Sequence, residues 1–192
     1  NGLIKHYTTI TEEAKVPAIL YNVPSRTGCS LTASTVAYLA KNAEYVTAIK
    51  EASGDISHVA DIMHACDGAI DLYSGNDDQV VPLLSLGGKG VISVLSNVMP
   101  QETHDMCQLF FDGKVEEAAK KQIEYFPLSK ALFCEVNPIP VKVALRLMGF
   151  DMGPLRMPLC EMEDAHLEQL KTAMRCLLYT SDAADDRISG DL

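Results

Sequence analysis

The sequence predicts an α/β fold, a barrel wall of parallel strands followed by a helical C-terminal extension. Three observations predict it. Short apolar runs alternate with helical patterns through the first half of the chain. Those runs are rich in β-branched or aromatic residues and are bounded by Gly, Pro or Asn. After Val94 the runs cease, and only helical patterns remain.

The elements follow in order. Gly2–Ala14 reads as a helix, and the buried run Pro17–Val23 as the first strand. Thr32 then precedes a helical segment, Ala33–Ala40, whose apolar residues recur at three- and four-residue spacing. Val46–Ala52 is the second strand. Asp55–Ala65 follows a glycine and puts Ile56, Val59, Ala60 and Met63 on one face of a helix. Asp71–Gly75 is the third strand. Asp77–Leu86 repeats the helical pattern with Val80, Val81, Leu83 and Leu84, and stops at Gly87-Gly88. Gly90–Val94 is the fourth strand. Such alternation argues for βαβ units and a parallel sheet. Pro100–Phe111, Lys114–Phe133, Pro140–Gly149 and Glu161–Met174 all read as helices. The remainder, from Cys176 or Leu177 to Leu192, is polar and acidic, and reads as a non-native tail outside the fold.

Composition narrows the function classes. Hydrophobic residues make up 47% and charged residues 22% of the 192 residues, an ordinary globular balance. The formal net charge of −10 disfavours nucleic-acid partners. No run of apolar residues is long enough to span a membrane. There is no signal-peptide pattern, although the chain opens on Asn1 rather than Met. Six scattered cysteines without a CxxC pair resemble reduced cytosolic thiols more than a disulfide framework. Five histidines show no HxH or HExxH spacing, so no metal is expected.

Lys50 stands near the end of an otherwise apolar strand. A lysine there is costly unless paired or neutral, and desolvation favours the neutral amine, a nucleophile toward carbonyls. The competing reading is an edge lysine whose ammonium snorkels to water. Tyr21 ends the preceding strand; its phenol could relay protons, or the ring could simply fill the core. Arg26, in the loop after Tyr21, suits a bidentate carboxylate clamp, or is a solvated surface arginine. Gly75 ends the third strand, where a missing side chain lets backbone approach a ligand. The Gly87-Gly-Lys-Gly90 run lacks phosphate-loop spacing and reads as the turn into the fourth strand. Tyr21, Lys50, Gly75 and Ile92 all fall at or near the carboxyl ends of successive strands, the end that holds the active site in (β/α)8 barrels.

At these residues the sequence resembles the dihydrodipicolinate synthase and N-acetylneuraminate lyase family of class I aldolases. Five ordered motifs carry the resemblance: Tyr21–Gly28, Ala48–Gly54, Tyr73–Asp77, Gly87–Val94 and Asn137–Lys142. The resemblance implies the C-terminal half of a (β/α)8 TIM barrel followed by a helical C-terminal extension. Strands 5–8 would lie in residues 1–99, the last barrel helix and the helical region in 100–175, and the tail in 176–192. It implies a homotetrameric or homodimeric cytoplasmic lyase that condenses pyruvate with aspartate-4-semialdehyde in lysine (diaminopimelate) biosynthesis, without a cofactor. Lys50 would form the Schiff base, Tyr21 would shuttle protons and Arg26 would hold the semialdehyde carboxylate. Backbone around Gly75 and Ile92 would border pyruvate. Sialic acid lyases resemble the loop after Tyr21 less well. The family's proton-relaying threonine pair and lysine-feedback site would lie upstream of Asn1, so the 192-residue chain alone is expected to be inactive. Two other readings stand beside this one: a different pyruvate-dependent aldolase, such as an N-acetylneuraminate or keto-deoxy-sugar acid lyase, and a non-catalytic barrel relative.

Overall fold

A computed structural model describes residues 1–181, with side chains to Leu177. The chain forms two compact units, Asn1–Ser93 and the part from Val94 onward. The first contains α1 (Gly2–Ala14), β1 (Ala18–Asn22), α2 (Pro24–Thr27), α3 (Ala33–Asn42), β2 (Val46–Glu51), α4 (Ile56–Cys66), β3 (Asp71–Ser74), a 3-10 turn (Asp77–Gln79), α5 (Val80–Ser85) and β4 (Gly90–Val91). The strands form one parallel sheet in the order β1-β2-β3-β4. Chain order equals sheet order, as in the wall of a (β/α)8 barrel, and this arc is followed by helices.

One face of the sheet is covered. Leu20, Ile49 and Leu72 are in register on β1, β2 and β3 and are essentially inaccessible to solvent. They join Val36, Leu39, Val59 and Ile62 of α3 and α4 in one apolar core. Each such side chain contributes about 2 kcal/mol by leaving water. Helix starts follow the capping chemistry of the sequence. The Thr35 N–H donates to Thr32 Oγ1, and the Ser57 and His58 N–H groups donate to Asp55 Oδ1.

Three expected elements differ. The fourth strand is two residues long, because β3 ends at Ser74 and offers only Tyr73 and Ser74 as partners. Asp77–Leu86 is a 3-10 turn followed by α5 rather than one helix. Restarting at Val80 places Pro82 in a first turn, where its missing N–H costs nothing. The loop after Tyr21 contains the short helix α2. Pro24 opens it, and Gly28 closes it at φ 65°, a left-handed conformation that suits glycine, donating its N–H to Pro24 O.

The second unit holds a 3-10 turn (Leu95–Asn97), α6 (Pro100–Phe111), α7 (Val115–Ala131), α8 (Ile139–Leu147) and α9 (Asp164–Ser181). Within α7, Pro127 removes one backbone donor, yet the helix continues to Ala131. Helix α9 runs past Met174, where the sequence pattern predicts its end. Leu170, Met174 and Leu177 are all buried at helical spacing, so the apolar stripe continues into the start of the expected tail. Residues 182–192, the rest of that tail, lie outside the described residues. No described helix is long and apolar enough to cross a membrane.

Glu135 ties the α7–α8 loop to the start of α9. Its Oε1 accepts the Glu163 N–H at 2.9 Å and faces His166 Nδ1 at 2.9 Å. The backbone hydrogen bond, assisted by His166, holds this carboxyl below its ordinary value. A depressed carboxylate stabilises the fold above its unfolded pKa, and that stabilisation is lost as pH falls through the folded pKa. Thermal melts between about pH 6 and about pH 3.5 should therefore show a steeper acid loss in the wild-type chain than in Glu135→Gln. Parallel pH profiles for the two would contradict this role.

Candidate active site

The register of the parallel sheet builds the site. Tyr21 on β1 pairs with Lys50 on β2, which pairs with Tyr73 on β3. Because side chains alternate along a strand, these three share the face opposite the helix-packed core. The Lys50 Nζ sits over the Tyr21 ring, 4.2 Å from its centroid, a cation–π distance. The Lys50 amine makes no hydrogen bond or ion pair among the described residues, so no carboxylate competes for it. Lys50 is half-buried rather than sealed in, and Tyr21 is 42% exposed with no hydrogen bond from its hydroxyl among the described residues. Tyr21 is not a core ring anchored to backbone, and Lys50 sits on an inner strand of the sheet with partners on both sides.

Gly75 follows β3, and its N–H donates to Glu51 O at 2.7 Å. A Cβ at this position would lie 2.6 Å from Ala52 Cβ and 3.1 Å from Lys50 Cε. Glycine here is thus a steric requirement of the Lys50 side chain and its strand. Ile92, just past β4, donates its N–H to Ser74 O at 2.9 Å. Lys50, Tyr21, Gly75 and Ile92 accordingly gather at the carboxyl edge of the sheet. Arg26 stands apart from that cluster on α2. It is exposed, and its guanidinium makes no hydrogen bond or ion pair among the described residues.

One layer beyond Lys50 lies a feature that sequence reasoning missed. Asn22, Glu51 and Ser74 are in register on the helix-facing side and are 1%, 2% and 0% exposed. Asn22 Nδ2 donates to Glu51 Oε2 at 2.8 Å, and the Ser53 N–H donates to Glu51 Oε1 at 2.6 Å. Asn22 Oδ1 accepts the Leu31 N–H at 2.9 Å. Two polar residues at matching positions in apolar strands, Asn22 and Glu51, were the available signal. Tyr73 was also missed; its place in the Tyr21–Lys50 layer is visible only once register is known.

Sheet order and the side-chain cluster at the strand ends define a member of the (β/α)8-barrel class. Comparison with known proteins is more specific. Residues 1–177 match the dihydrodipicolinate synthetase family, and the chain belongs to it, a family of lyases of the class I aldolase type. The 4-hydroxy-tetrahydrodipicolinate synthase of Lachnoclostridium phytofermentans is 52% identical over 174 residues, covering 91% of this chain and 59% of that protein. A Clostridium perfringens protein of the same name is also 52% identical, over 91% of this chain and 60% of its own length. Among solved structures, dihydrodipicolinate synthase from Cyanidioschyzon merolae with lysine bound superposes with a TM-score of 0.88 at 42% identity, covering 92% of this chain and 60% of that one. The Acinetobacter baumannii enzyme complexed with pyruvate gives 0.87 at 37% identity, covering 92% and 60%. The chain thus spans about 60% of the length of the relatives it matches.

The crowding at Gly75 is testable. Gly75→Ala should destabilise the chain by roughly 1–3 kcal/mol, as overpacking of a filled site does. Urea unfolding measures it; an unchanged midpoint would show that the strand ends have room to spare.

Proposed function

We propose that this chain supplies the Schiff-base lysine and the carboxylate clamp of a synthase that condenses pyruvate with aspartate-4-semialdehyde. The observation that carries the reading is the Lys50 amine over the Tyr21 ring, without an ionic partner among the described residues, at the carboxyl ends of adjacent parallel strands. Family membership supports it, as do relatives named 4-hydroxy-tetrahydrodipicolinate synthase.

In this reading the Lys50 amine adds to the pyruvate ketone, and loss of water from the carbinolamine leaves an iminium. The Tyr21 hydroxyl exchanges the protons of addition and dehydration. The iminium is an electron sink, so the pyruvate methyl group loses a proton and becomes an enamine carbon. That carbon's π pair attacks the aldehyde and makes the new C–C bond, the nitrogen lone pair re-forms the iminium, and the aldehyde oxygen takes up a proton to become a hydroxyl. The chain's own amine provides the electron sink. Backbone around Gly75 and Ile92 borders the keto acid. Arg26 pairs with the semialdehyde carboxylate by two parallel N–H bonds. Its lack of an internal partner among the described residues leaves it available. Holding both reactants contributes up to roughly 7–11 kcal/mol in the best case.

The pathway is lysine (diaminopimelate) biosynthesis, in the cytoplasm, and the complete protein is a homodimer or homotetramer. The 192-residue polypeptide by itself is inactive: β1 and β4 each have one sheet partner among the described residues, and Ile19 and Tyr21 stand exposed on the open face.

In a full-length protein carrying this chain, Arg26→Ala should lower kcat/KM for the semialdehyde by roughly 100-fold, because it removes a charge-assisted bidentate contact. Schiff-base formation with pyruvate should survive. Unchanged steady-state constants would instead favour an aldolase for a neutral sugar aldehyde. Measured alone, the 192-residue polypeptide should consume no pyruvate above background; turnover would sink the claim of inactivity.

A further inference from the structure

We propose that Asn22 and Glu51 form a positioning couple that fixes the Arg26 loop relative to the Lys50 strand. Its kinetic consequence rests on the functional reading above; the couple itself rests on geometry alone.

Four hydrogen bonds form the argument. Glu51 follows Lys50 directly but turns to the opposite face, where it is 2% exposed. Its two carboxylate oxygens accept from Asn22 Nδ2 and from the Ser53 N–H. The Asn22 carbonyl oxygen accepts the N–H of Leu31, nine residues on, and so closes the loop that contains α2 and Arg26. His58 Nε2 lies 2.9 Å from Leu31 O, so the same residue is also held from α4. The loop is anchored at its far end by two contacts, and both lead back to the β2–α4 segment that begins at Lys50.

Donor parity makes the pair specific. The two ends of the chain of bonds, the Ser53 N–H and the Leu31 N–H, can only donate. Asn22 accepts at one end and donates at the other. Residue 51 must therefore accept through both of its terminal atoms, which a carboxylate does and an amide cannot. In Glu51→Gln, every amide orientation leaves two donors face to face. Moving the carboxylate to position 22 restores the parity. The Ser53 N–H then donates to the amide oxygen at position 51, and the amide NH2 there donates to the carboxylate at position 22. The second oxygen of that carboxylate accepts the Leu31 N–H. In Asn22→Asp with Glu51 retained, two carboxylates stand at about 2.8 Å, so one must hold a proton.

The test is the set Glu51→Gln, Asn22→Asp and the double variant Asn22→Asp/Glu51→Gln, in a full-length protein carrying this chain. Glu51→Gln should lower kcat/KM for the semialdehyde by about 100-fold, chiefly through KM, since a misplacement of about 1 Å costs that much. Borohydride trapping of pyruvate at Lys50 should change by less than about threefold, because the Lys50 side chain faces the opposite side of the sheet and makes no hydrogen bond to the pair. Asn22→Asp should add a new loss of activity as pH rises, when the shared proton leaves. The double variant should recover to within about threefold of wild type. Amide exchange at Leu31 and Ser53 should be slow in wild type, roughly tenfold or more faster in Glu51→Gln, and slow again in the double variant. A double variant no better than Glu51→Gln, or one that does not fold, overturns the couple. So does a Glu51→Gln variant with wild-type kinetics and exchange. If wild type forms no pyruvate adduct at Lys50, the functional reading fails instead, and the exchange pattern alone decides the couple.

Discussion

The register between β1 and β2 is the constraint on which the rest depends. Pairing Tyr21 with Lys50 places Asn22 opposite Glu51 in the next layer. A slip of one residue would put Tyr21 and Lys50 on opposite faces of the sheet and separate Asn22 from Glu51, because side chains alternate along a strand. Leu20 and Ile49 prevent that slip, since their burial against α3 and α4 would be lost with it. The apolar core thus holds the polar site in place.

Each strand end serves two faces. Toward the open side it presents Tyr21, Lys50 and Tyr73; toward the helices it buries Asn22, Glu51 and Ser74. A buried carboxylate is costly unless its oxygens are hydrogen-bonded. Glu51 meets that demand with two donors, one from a neighbouring strand and one from its own loop. Those hydrogen bonds link the strand to its neighbour and to its own loop, which no apolar pair at those positions would do. Gly75 adds the third constraint, because any side chain there would collide with Ala52 and crowd Lys50.

Much of this was readable in the sequence. The four strand positions followed from apolar runs, and the helices after Thr32 and after Gly54 from apolar residues recurring on one face. Lys50, Tyr21, Gly75 and Ile92 stood out because each falls at the same end of its strand. What escaped depended on pairing. The shortness of β4 reflects the early end of β3 at Ser74, which periodicity in the fourth run cannot reveal. The break between the 3-10 turn and α5 reflects where Pro82 can be tolerated. The run of α9 beyond Met174 was hidden because Leu177 was read with the polar residues after it instead of with Leu170 and Met174. Glu51 was overlooked beside a more conspicuous lysine; only the register shows that its carboxylate meets Asn22.

The central claim is that the Lys50 amine is the covalent attachment point for a keto acid. Incubating a full-length protein that carries this chain with pyruvate, reducing with borohydride and mapping the modified peptide by mass spectrometry tests it most directly. The account predicts a single added propionate group on Lys50, dependent on pyruvate and absent from Lys50→Arg. An unmodified Lys50, or an adduct on another lysine, would contradict it.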